Sequence, residues 1–480
     1  MRILICGATG YVGSRLMKNL LEHGHFVRCL ARNPEYIDQR IPTKNLETIR
    51  GDLLDSNSLS TIFDDIDIVY YLVHSLAAPD NFMNKEYECA QNIIRGIGSS
   101  NVKRIIYLGG LGTSTKMLSS HLKSRKKVGE ILRSSNVKCV ELQASVIIGS
   151  GSFSYEIMRS LVERLPIMLT PKWVSSLSQP IWIGDVITYL YQSMEIDINT
   201  SVVIEIGGPD QVTYKELMAL YAKIINKKRI MISVPFLTPN LSSKWLGLVT
   251  PVYARVGKKL IESLKSDSII KNPSSMRIFN IFPLGVEKSL IETLKSHKNL
   301  KDMESRWYDS VSSGVVNYKA NDIQIYKYQY IDSREIIIPT DPISAFLPIN
   351  RIGGETGWYF ANKLWLIRGW IDIAVGGVGL RRRKRKHTNK FLIGDTLDWW
   401  RITKVIDNKL VRFEAEMKMP GKAWLEFELV GNKTGTLLKQ TAGFRTNSIL
   451  GQIYWFGLLP LHKIIFKGML KNIAEQALKI

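Results

Sequence analysis

The fold of the first domain is decided by the stretch Met1-Arg-Ile-Leu-Ile-Cys-Gly7-Ala-Thr-Gly10-Tyr-Val-Gly13. Its apolar run Ile3–Cys6 predicts a buried parallel strand, and the glycines that follow are spaced three residues apart. An amphipathic helix is predicted directly after them, over Ser14–His23. Glycines between a strand and a helix let the backbone turn tightly and approach a pyrophosphate, whose charge then lies at the helix N-terminus. The stretch therefore predicts a dinucleotide site.

The residues expected to bind this dinucleotide lie at the ends of predicted strands. They are Gly7, Thr9, Gly10, Tyr11, Val12, Gly13, Arg32, Asp52, Leu53, Val73, His74 and Gly109. Arg32 ends the second predicted strand, His25–Ala31, about 20 residues after the glycines. An acidic residue there binds a ribose 2′-hydroxyl, whereas an arginine suits a 2′-phosphate, so we expect NADP, with NAD as the alternative. Arg28, on the same strand, is either a second phosphate contact or not involved.

Strands and helices alternate through the first 225 residues. Further strands are predicted before Gly51 and over Ile66–Val73, Arg104–Leu108 and Ile204–Gly207, with helices over Ser58–Phe63, Asn81–Gly98, Leu122–Ser134 and Thr213–Ile224. This alternation is typical of an α/β fold with a doubly wound parallel Rossmann sheet, whose ligands lie at the carboxyl ends of its strands. Asp52 and Leu53 are then expected beside the adenine. Val73, His74 and Gly109 are expected on the path to the nicotinamide, unless His74 is satisfied by local hydrogen bonds alone.

Several motifs resemble those of atypical short-chain dehydrogenases/reductases. In the first domain they are Gly7-x-x-Gly10-x-x-Gly13, Gly51-Asp52-Leu53, Tyr71-Leu72-Val73-His74-Ser75 and His121-Leu-x-Ser-Arg125-x-x-Val-Gly129. Within that superfamily the chain is similar to bacterial proteins that join an NmrA-like NAD(P)-binding domain to a C-terminal DUF2867 domain. That resemblance continues through Gly394-Asp395-x-x-Asp398-x-Trp400-Arg401 and Met417-Lys-x-Pro420-Gly421-x-Ala423-Trp424. It implies a nicotinamide cofactor and an oxidoreductase.

The resemblance also implies where catalytic residues belong, and those positions have changed. Ordinary members of the superfamily move a proton with a tyrosine assisted by a lysine four positions on, and hold the substrate oxygen with a serine. The corresponding positions here are His121, Arg125 and the pair Gly109-Gly110. His121 then acts as the acid/base, while Arg125 orients the cofactor ribose or a substrate anion. Alternatively, both residues only hold the cofactor or lie on the helix surface, and catalysis has been lost.

The charge of the chain is strongly basic. Its 480 residues, enough for two or three domains, include 65 Lys and Arg against 43 Asp and Glu, a net charge of +22. The densest basic run, Arg381–Lys386, lacks the interleaved aromatic residues of a nucleic-acid site, so no nucleic acid is expected as a partner. Such a run suits peripheral contact with an anionic membrane, the alternative being a solvated loop.

Cysteine usage and hydropathy indicate a cytoplasmic protein, membrane-associated at most through its surface. Cys6, Cys29, Cys89 and Cys139 form no C-x-x-C pair, so neither a metal site nor a disulfide is predicted. The chain starts with the first strand, so no signal peptide is predicted. No uninterrupted apolar stretch reaches the roughly 20 residues of a spanning helix, and Ile449–Leu461 comes closest.

Three domains are expected: an NAD(P)-binding domain over residues 1–225, a small, mostly helical cap on the substrate side over 226–320, and a third domain over 325–480. Helices are predicted in the cap over Ala254–Leu264 and Gly285–Leu294. Four aromatic residues either line a substrate pocket under the cap or belong to the core: Trp173, Trp182, Trp245 and Tyr253.

The third domain is predicted to be α+β. Its elements are a strand, Tyr326–Ile338, a helical section from Asp341 to about Ala374, strands over Asp395–Val405, Leu410–Lys418, Ala423–Val430 and Gly435–Phe444, and a final helix, Gly451–Leu478. Pro460 is expected to kink or interrupt that helix. This order resembles the helix-grip arrangement of START-like domains, in which a curved sheet wraps the last helix around an apolar cavity. Asp395, Asp398 and Arg401 are either a polar site at the cavity mouth or structural partners.

The leading functional hypothesis is an NADPH-dependent oxidoreductase acting on a hydrophobic small molecule that the C-terminal domain presents or retains. The alternative is a non-catalytic dinucleotide sensor or assembly factor, for which NmrA-like regulators are the analogy. A third hypothesis, a peripheral lipid-handling protein, rests on the basic run and the apolar final helix.

Overall fold

The computed structural model describes residues 1–38, 41, 43–74, 82–98, 100–112, 119–234, 262, 266–298, 326–354, 356–375, 377–379 and 390–479. The chain divides into two compact units, Met1–Ser313 and Gly314–Ile480. Each unit is described by itself.

The first unit is built on a seven-stranded parallel sheet. Its strands are β1 (Arg2–Cys6), β2 (Phe26–Ala31), β3 (Leu46–Arg50), β4 (Ile68–Tyr71), β5 (Arg104–Gly110), β6 (Lys138–Ala144) and β11 (Val202–Ile206). They lie side by side in the order β11-β6-β5-β4-β1-β2-β3, and every pair is parallel. The order reverses between β1 and β4, and a doubly wound sheet opens its ligand crevice at that boundary. The predicted fold class of this unit is confirmed.

Helices cover both faces of this sheet. They are α1 (Tyr11–Glu22), α2 (Glu35–Asp38), α3 (Phe82–Ile97), α4 (Ser120–Arg133), α5 (Phe153–Arg164), α6 (Ile183–Gln192), α7 (Tyr214–Ile224), α8 (Ser275–Ile278) and α9 (Val286–Lys298). Side chains of a strand alternate between faces, so Ile3 and Ile5 pack with Leu16 of α1, whereas Leu4 packs with Ile93 of α3 on the other face. The two apolar layers hold α1, α3 and α4 in fixed positions on the faces of the sheet.

Three pairs of short strands lie outside the main sheet. They are β7 (Ile147–Ile148) with β10 (Ile181–Trp182), β8 (Ile167–Pro171) with β13 (Ile230–Val234), and β9 (Leu177–Ser178) with β12 (Val212–Thr213). The predicted helix Ser58–Phe63 is wrong: a short 3₁₀ helix, Ser56–Leu59, forms instead, because the Asp55 side chain accepts the Asn57 N–H and starts a tight turn.

The described part of the segment predicted to form a cap, residues 266–298, is attached through carboxylates that accept backbone N–H groups. Asp185 accepts from Leu284 at 2.9 Å, and Asp210 accepts from Val286 at 2.7 Å. The second of these bonds lies at the start of α9, where a negative charge also suits the helix dipole. The predicted helix Gly285–Leu294 is confirmed as α9, and Ala254–Leu264 falls outside the described residues.

In its described residues the second unit consists of a six-stranded antiparallel sheet and three helices. Its strands are β14 (Tyr328–Ile338), β15 (Thr396–Leu397), β16 (Trp400–Ile406), β17 (Leu410–Ala415), β18 (Lys422–Asn432) and β19 (Gly435–Thr446), in the spatial order β14-β19-β18-β17-β16-β15. Its helices are α10 (Pro342–Asn350), α11 (Asn362–Ala374) and α12 (Ile449–Ala477). The long α12 packs against β14, β19 and α10. The predicted α+β arrangement, with an antiparallel sheet and a long closing helix, is confirmed.

Two details of the second unit differ from the prediction. The strand expected over Asp395–Val405 is a hairpin, because Asp398 takes a left-handed φ of 50° and turns β15 back onto β16. The closing helix is not interrupted at Pro460. A proline removes one backbone hydrogen bond, and buried side chains on both sides, Trp455 and Ile465, hold the flanking turns in place.

The polar residues near this hairpin are structural partners. Asp398 accepts the Trp358 indole N–H at 3.0 Å, and Asp395 accepts the Leu392 backbone N–H at 3.0 Å. The Arg401 guanidinium lies 2.5 Å from the Glu416 carboxylate, and both side chains are 1% exposed. Of the two alternatives raised by the sequence, these contacts favour the structural one, since buried charges persist only when paired.

Candidate functional site

The glycine turn between β1 and α1 is closed to side chains. Gly7 has a φ of 102°, and a Cβ there would press on the backbone of Leu72, just after β4. A Cβ on Gly13 would overlap the Gly7 carbonyl oxygen, so only glycine lets α1 start this close to β1. The Gly10 N–H donates to Gly7 O at 3.0 Å and closes the turn. The glycine turn, called the cradle below, carries no side chains at Gly7, Gly10 and Gly13, so a ligand in the crevice can approach its backbone.

The first turn of α1 faces this cradle and suits an anion. Its N-cap, Gly10, has no side chain to accept the first N–H groups, and the first turn contains no acidic residue. Helix N-termini of this kind bind phosphate through N–H groups and the helix dipole. Thr9 is exposed beside the turn, while Tyr11 is buried and carries the Arg15 guanidinium 4.0 Å above its ring. These residues fit a dinucleotide pyrophosphate.

Arg32 and Arg28 have different surroundings at the end of β2. The Arg28 side chain is buried, lies 2.7 Å from the Glu47 carboxylate and donates to the carbonyls of Ile62 and Asp64, so Arg28 is a structural residue. Arg32 is exposed. Of the two carboxylates on the following helix α2, Glu35 lies 2.5 Å from the Arg50 guanidinium and Asp38 accepts the Thr48 hydroxyl at 2.7 Å.

The predicted adenine-side residues follow β3. Asp52 is partly buried, and its carboxylate accepts the Leu54 N–H at 3.1 Å within its own turn. The Leu53 side chain belongs to the core, and its carbonyl accepts from Asn92 of α3 at 2.8 Å. Asn92 thereby fixes this loop against α3, at the same edge of the sheet as the glycine turn.

Two histidines and a carboxylate meet at the crevice beside the glycine turn. His74 follows β4, and its Nε2 lies 2.5 Å from Nε2 of His121 in the first turn of α4. The other His74 nitrogen, Nδ1, lies 3.1 Å from the Glu86 carboxylate of α3. Glu86 is itself buried and accepts a hydrogen bond from the hydroxyl of the fully buried Ser124. The packing of α3 on α4 brings the four residues together.

The hydrogen-bond chemistry of this cluster determines its proton states. A carboxylate only accepts, so Glu86 selects the His74 state with a proton on Nδ1. The close approach of the two Nε2 atoms requires one donor and one acceptor, so the rings share a proton between them. His121 can therefore exchange a proton with His74, which Glu86 orients from behind. This is the arrangement of an acid/base group with a positioned partner.

Arg125 lies one turn after His121 on the same face of α4. Its guanidinium donates to the Leu108 carbonyl at the end of β5, and its own carbonyl accepts the Tyr107 hydroxyl at 3.0 Å. Tyr107 is fully buried, and this burial raises its pKa to about 12. Tyr107 is thus a core residue, and Arg125 is anchored to the strand end where the superfamily's lysine is expected.

The absence of a serine at the end of β5 has a steric reason. A Cβ on Gly109 would come 3.0 Å from a carboxylate oxygen of Glu141, which is buried on β6. Gln143 donates to the same carboxylate at 2.8 Å, and Arg133 forms an ion pair with it. A Cβ at position 109 would require this buried carboxylate to shift by a few tenths of an ångström. The ion pair therefore leaves little room for a side chain at the end of β5.

The remaining sequence predictions concern Val73, four aromatic residues, the cysteines and metal binding. Val73 packs against the core under α3 and α4. Trp182 is partly buried at the start of α6, whereas Trp245 and Tyr253, like the Trp173 side chain, fall outside the described residues. All four cysteines are free and buried, and burial raises the pKa of the Cys6, Cys89 and Cys139 thiols to about 12. Within the described ranges no cluster of three His, Cys, Asp or Glu side chains could hold a metal ion.

Two residues of the site were missed by sequence reasoning. Ser124 stands inside the His121-Leu-x-Ser-Arg125 motif, but nothing in its spacing indicates a buried hydroxyl aimed at another helix. Glu86 carries even less signal, because a glutamate on an amphipathic helix is ordinarily a surface residue.

The fold and the glycine turn define a Rossmann-type domain of the NAD(P)-binding kind. Residues 7–159 match the family model described as NAD(P)H-binding, and residues 325–469 match DUF2867, a protein family of unknown function. The N-terminal region thus matches an NAD(P)H-binding model and the C-terminal region matches DUF2867, in the order that the motifs predicted.

Curated relatives match part of the first unit. The 3 beta-hydroxysteroid dehydrogenase/Delta 5-->4-isomerase of Mycobacterium tuberculosis strain H37Rv is 25% identical over 116 residues, 22% of this chain and 30% of that protein. Cinnamoyl-CoA reductase 2 of Medicago truncatula is 29% identical over 119 residues, 23% of this chain and 35% of that protein. The match spans about a third of each relative.

Among solved structures, triphenylmethane reductase of Citrobacter sp. superposes with a TM-score of 0.51 at 14% identity. It covers 62% of this chain and 100% of the reductase. The NADP(H) complex of the same reductase gives a TM-score of 0.50, also at 14% identity, over 61% of this chain and 100% of that one. At this identity the likeness shows the fold.

Proposed function

We propose that the protein is an NADP(H)-dependent oxidoreductase of the atypical short-chain type that acts on an apolar small molecule. The observation that carries the proposal is the cluster of His121, His74 and Glu86 at the carboxyl edge of β4, beside the glycine turn. A proton donor backed by a buried carboxylate has no evident use in cofactor binding alone. It suits a reaction in which a proton and a hydride move together.

The cofactor, when bound, supplies or accepts the hydride. In the reducing direction the pair starts with one positive charge: His121 donates its Nδ1 proton to the substrate oxygen and accepts the Nε2 proton of His74 across the short contact between the two Nε2 atoms, which leaves both rings neutral. Glu86 stays ionised and stabilises the positive charge while it resides on His74. In the oxidising direction the same residues remove the proton. The Arg125 guanidinium, next to the Leu108 carbonyl, orients the cofactor ribose or an anionic group of the substrate.

The NADP preference is supported by the surroundings of Arg32. Its guanidinium is exposed at the end of β2, and the neighbouring Glu35 is paired with Arg50 instead. A ribose 2′-phosphate at this position would gain a charge-assisted hydrogen bond, whereas a 2′-hydroxyl would gain little from an arginine.

The substrate class is supported by the relatives of the first unit. The two reported above act, by their names, on a hydroxysteroid and on cinnamoyl-CoA, and the steroid and the cinnamoyl group are both apolar carbon skeletons. We extend only this shared property, an apolar carbonyl or hydroxyl compound, to the present chain. Quinones and enones are the compounds to screen first.

Cofactor choice is tested by titrating NADPH and NADH against the purified chain and following nicotinamide fluorescence. We expect NADPH to bind more tightly and Arg32→Ala to remove that preference. Arg277→Ala, which removes another exposed arginine on α8, is the matched control and should leave both affinities unchanged. Binding of neither cofactor would overturn the proposal.

A second candidate, a non-catalytic dinucleotide sensor, is favoured by one observation: the serine, tyrosine and lysine of ordinary members are replaced by Gly109, His121 and Arg125. NADPH oxidation across the quinone and enone panel separates the two functions. Turnover that His121→Ala abolishes without changing NADPH affinity supports the enzyme. NADPH binding with no turnover of any compound supports the sensor, and turnover unaffected by His121→Ala removes His121 as the acid/base.

A further inference from the structure

We propose that the second unit docks on an anionic lipid bilayer through the outward faces of α11 and the first half of α12. This inference is independent of the oxidoreductase proposal. The surface, called the apolar surface below, consists of Leu364, Ile367, Trp370 and Ile371 of α11 with Ile449, Leu450, Ile453, Phe456, Leu461 and Ile464 of α12.

Helix α11 has the reverse of the usual arrangement on its outer face. A helix on the surface of a soluble protein exposes polar residues and buries apolar ones. In α11 the inward positions include the buried Asp372, whereas Trp370 is 73% exposed and Ile367 is 55% exposed. Their spacing of three and four residues, together with Leu364 and Ile371, places them on one side of the helix. An apolar stripe of this size in water indicates a missing partner.

Helix α12 divides into two halves with different surroundings. The second half supplies core side chains, among them Phe466, Met469 and Ile473. The first half exposes Ile449 at 74% and Ile453 at 63%. No charged residue occurs between Ile449 and His462.

By length and composition α12 could cross a membrane, and 22% of its apolar window is buried. Spanning would pull the helix away from β14 and β19, against which it packs, for example through Trp455, whose ring stacks on Tyr330 and Phe444. An orientation parallel to the bilayer plane keeps that packing and buries only the exposed half. We therefore infer a helix that lies in the interface.

The two helices are neighbours in this unit. Arg368 of α11 donates to the Tyr454 hydroxyl of α12 at 3.3 Å. Gly457 is exposed in the first half of α12, and a Cβ there would meet nothing within 4 Å. The contact holds the two exposed faces close to one another, with open space beside them.

The charges around the apolar surface select the partner. The exposed charged residues on α11, and on α12 up to its last turns, are lysines, namely Lys363, Lys463 and Lys467. The acidic residue of α11, Asp372, is buried and accepts the backbone N–H groups of Gly379 and Lys418. Apolar residues flanked by lysines match anionic headgroups above an acyl layer. A second copy of this unit would bring like charges together, which disfavours self-association through this face.

The test is flotation of the full chain with extruded phosphatidylcholine vesicles, with and without phosphatidylglycerol. We expect flotation with the anionic vesicles, much weaker flotation with the neutral ones, and a loss as salt rises. The variant I367E/I371E should lose most of this binding. Its matched control, I331E/I337E, introduces the same charge at isoleucines of similar exposure on β14 and should retain it. Circular dichroism and NADPH binding should be unchanged in both variants.

Trp370 provides a second measurement that needs no disruptive substitution. Brominated lipids should quench part of the tryptophan fluorescence on binding, and W370F should remove the part that responds most strongly. Neutralising residues 381–386, which lie outside the described residues, should weaken binding to anionic vesicles and leave the quenching of the bound fraction intact. Quenching unchanged by W370F would contradict insertion of α11.

Three outcomes would overturn the proposal. The first is absence of flotation, or equal losses in I367E/I371E and I331E/I337E. The second is binding that resists extraction by alkaline carbonate, which would indicate a spanning α12. The third is a concentration-dependent dimer in sedimentation velocity that I367E/I371E dissociates, which would make a second copy the partner. NADPH binding that persists in any of these cases leaves the cofactor site untouched.

Discussion

The glycine turn and the histidine cluster lie at the same edge of one sheet but are built in different ways. Residues 7–13 are contiguous, and the conformation of the turn follows from glycines that tolerate no Cβ. The cluster takes His74 from a strand end, Glu86 from α3, and His121 and Ser124 from α4. The proposed cofactor site therefore depends on a local stretch, whereas the proposed proton-transfer site depends on how two helices pack.

The glycine turn and the histidine cluster are held by different contacts, so a substitution in one need not alter the other. The turn is constrained by backbone contacts between Gly7, Gly13 and Leu72. The acid/base position is constrained by a buried carboxylate that needs partners, since an unpaired one would be strongly unfavourable. His74 supplies a hydrogen-bond donor to Glu86 and at the same time contacts His121. In the proposed function, the glycine turn holds the cofactor and His121 is a different proton donor from the superfamily's tyrosine.

The largest expected effect is that of His121→Ala on catalysis. We expect kcat for NADPH oxidation to fall by about 10²–10⁴, the range for loss of a positioned acid/base, with NADPH affinity unchanged. Steady-state kinetics with the best quinone or enone measure it. The control is His23→Ala, which removes an exposed histidine at the end of α1. A loss below threefold would show that the cluster does not move the proton.

Glu86→Gln should have a smaller effect on kcat, because Glu86 is a positioning residue. The amide can donate as well as accept, so it no longer selects the proton on His74 Nδ1. Histidine ¹⁵N NMR should show a changed tautomer ratio for His74, and Glu86→Asp should restore part of the activity. The control, Glu88→Gln, alters an exposed glutamate of the same helix and should change neither. An unchanged His74 spectrum in Glu86→Gln would contradict the assigned contact.

The sequence predicted the first region well and the second only in part. The glycines, six of the seven strands of the parallel sheet and the position of Arg32 follow from local patterns, whereas β6 (Lys138–Ala144) was not predicted. Glu86 has no such signal, since its burial results from the packing of α3 on α4. The left-handed turn at Asp398, which converts a predicted strand into a hairpin, likewise depends on tertiary contacts. So does the division of α12 into an exposed half and a core half.

Gly13→Ala tests whether the glycine turn excludes a methyl group, which an open helix position would accept. The added methyl overlaps Gly7 O, so we expect the free energy of unfolding to fall by about 1–3 kcal/mol and NADPH affinity to fall at least about tenfold. Gly457→Ala adds the same methyl to an open helix position and should stabilise by about 0.5–1 kcal/mol. Denaturant unfolding and NADPH titration measure both. Equal effects of the two substitutions would show that the turn has room for a side chain.

The smallest expected effect lies at the opposite edge of the sheet. Asp67 accepts the Arg2 N–H and lies 2.7 Å from the Lys103 ammonium, and these partners lower its pKa below 3.8. A lowered carboxyl pKa contributes stability above the unfolded value, and that contribution disappears as pH falls through the folded value. Asp67→Asn should therefore cost about 0.2–1 kcal/mol at pH 7 and progressively less below about pH 4.

Urea unfolding of Asp67→Asn at several pH values measures this dependence, with Asp64→Asn at an exposed neighbouring position as the control. Cofactor affinity should not change in either variant, because both positions lie at the amino ends of the strands. A stability difference that grows as the pH falls would reverse the assigned sign.

The most direct test of the account is isothermal titration of NADPH into the wild-type chain, Gly13→Ala and Glu86→Gln. The account predicts that Gly13→Ala loses most of its affinity, while Glu86→Gln binds NADPH as the wild type does. Loss of binding in Glu86→Gln comparable to that in Gly13→Ala would contradict the separation of the cofactor cradle from the proton-transfer cluster.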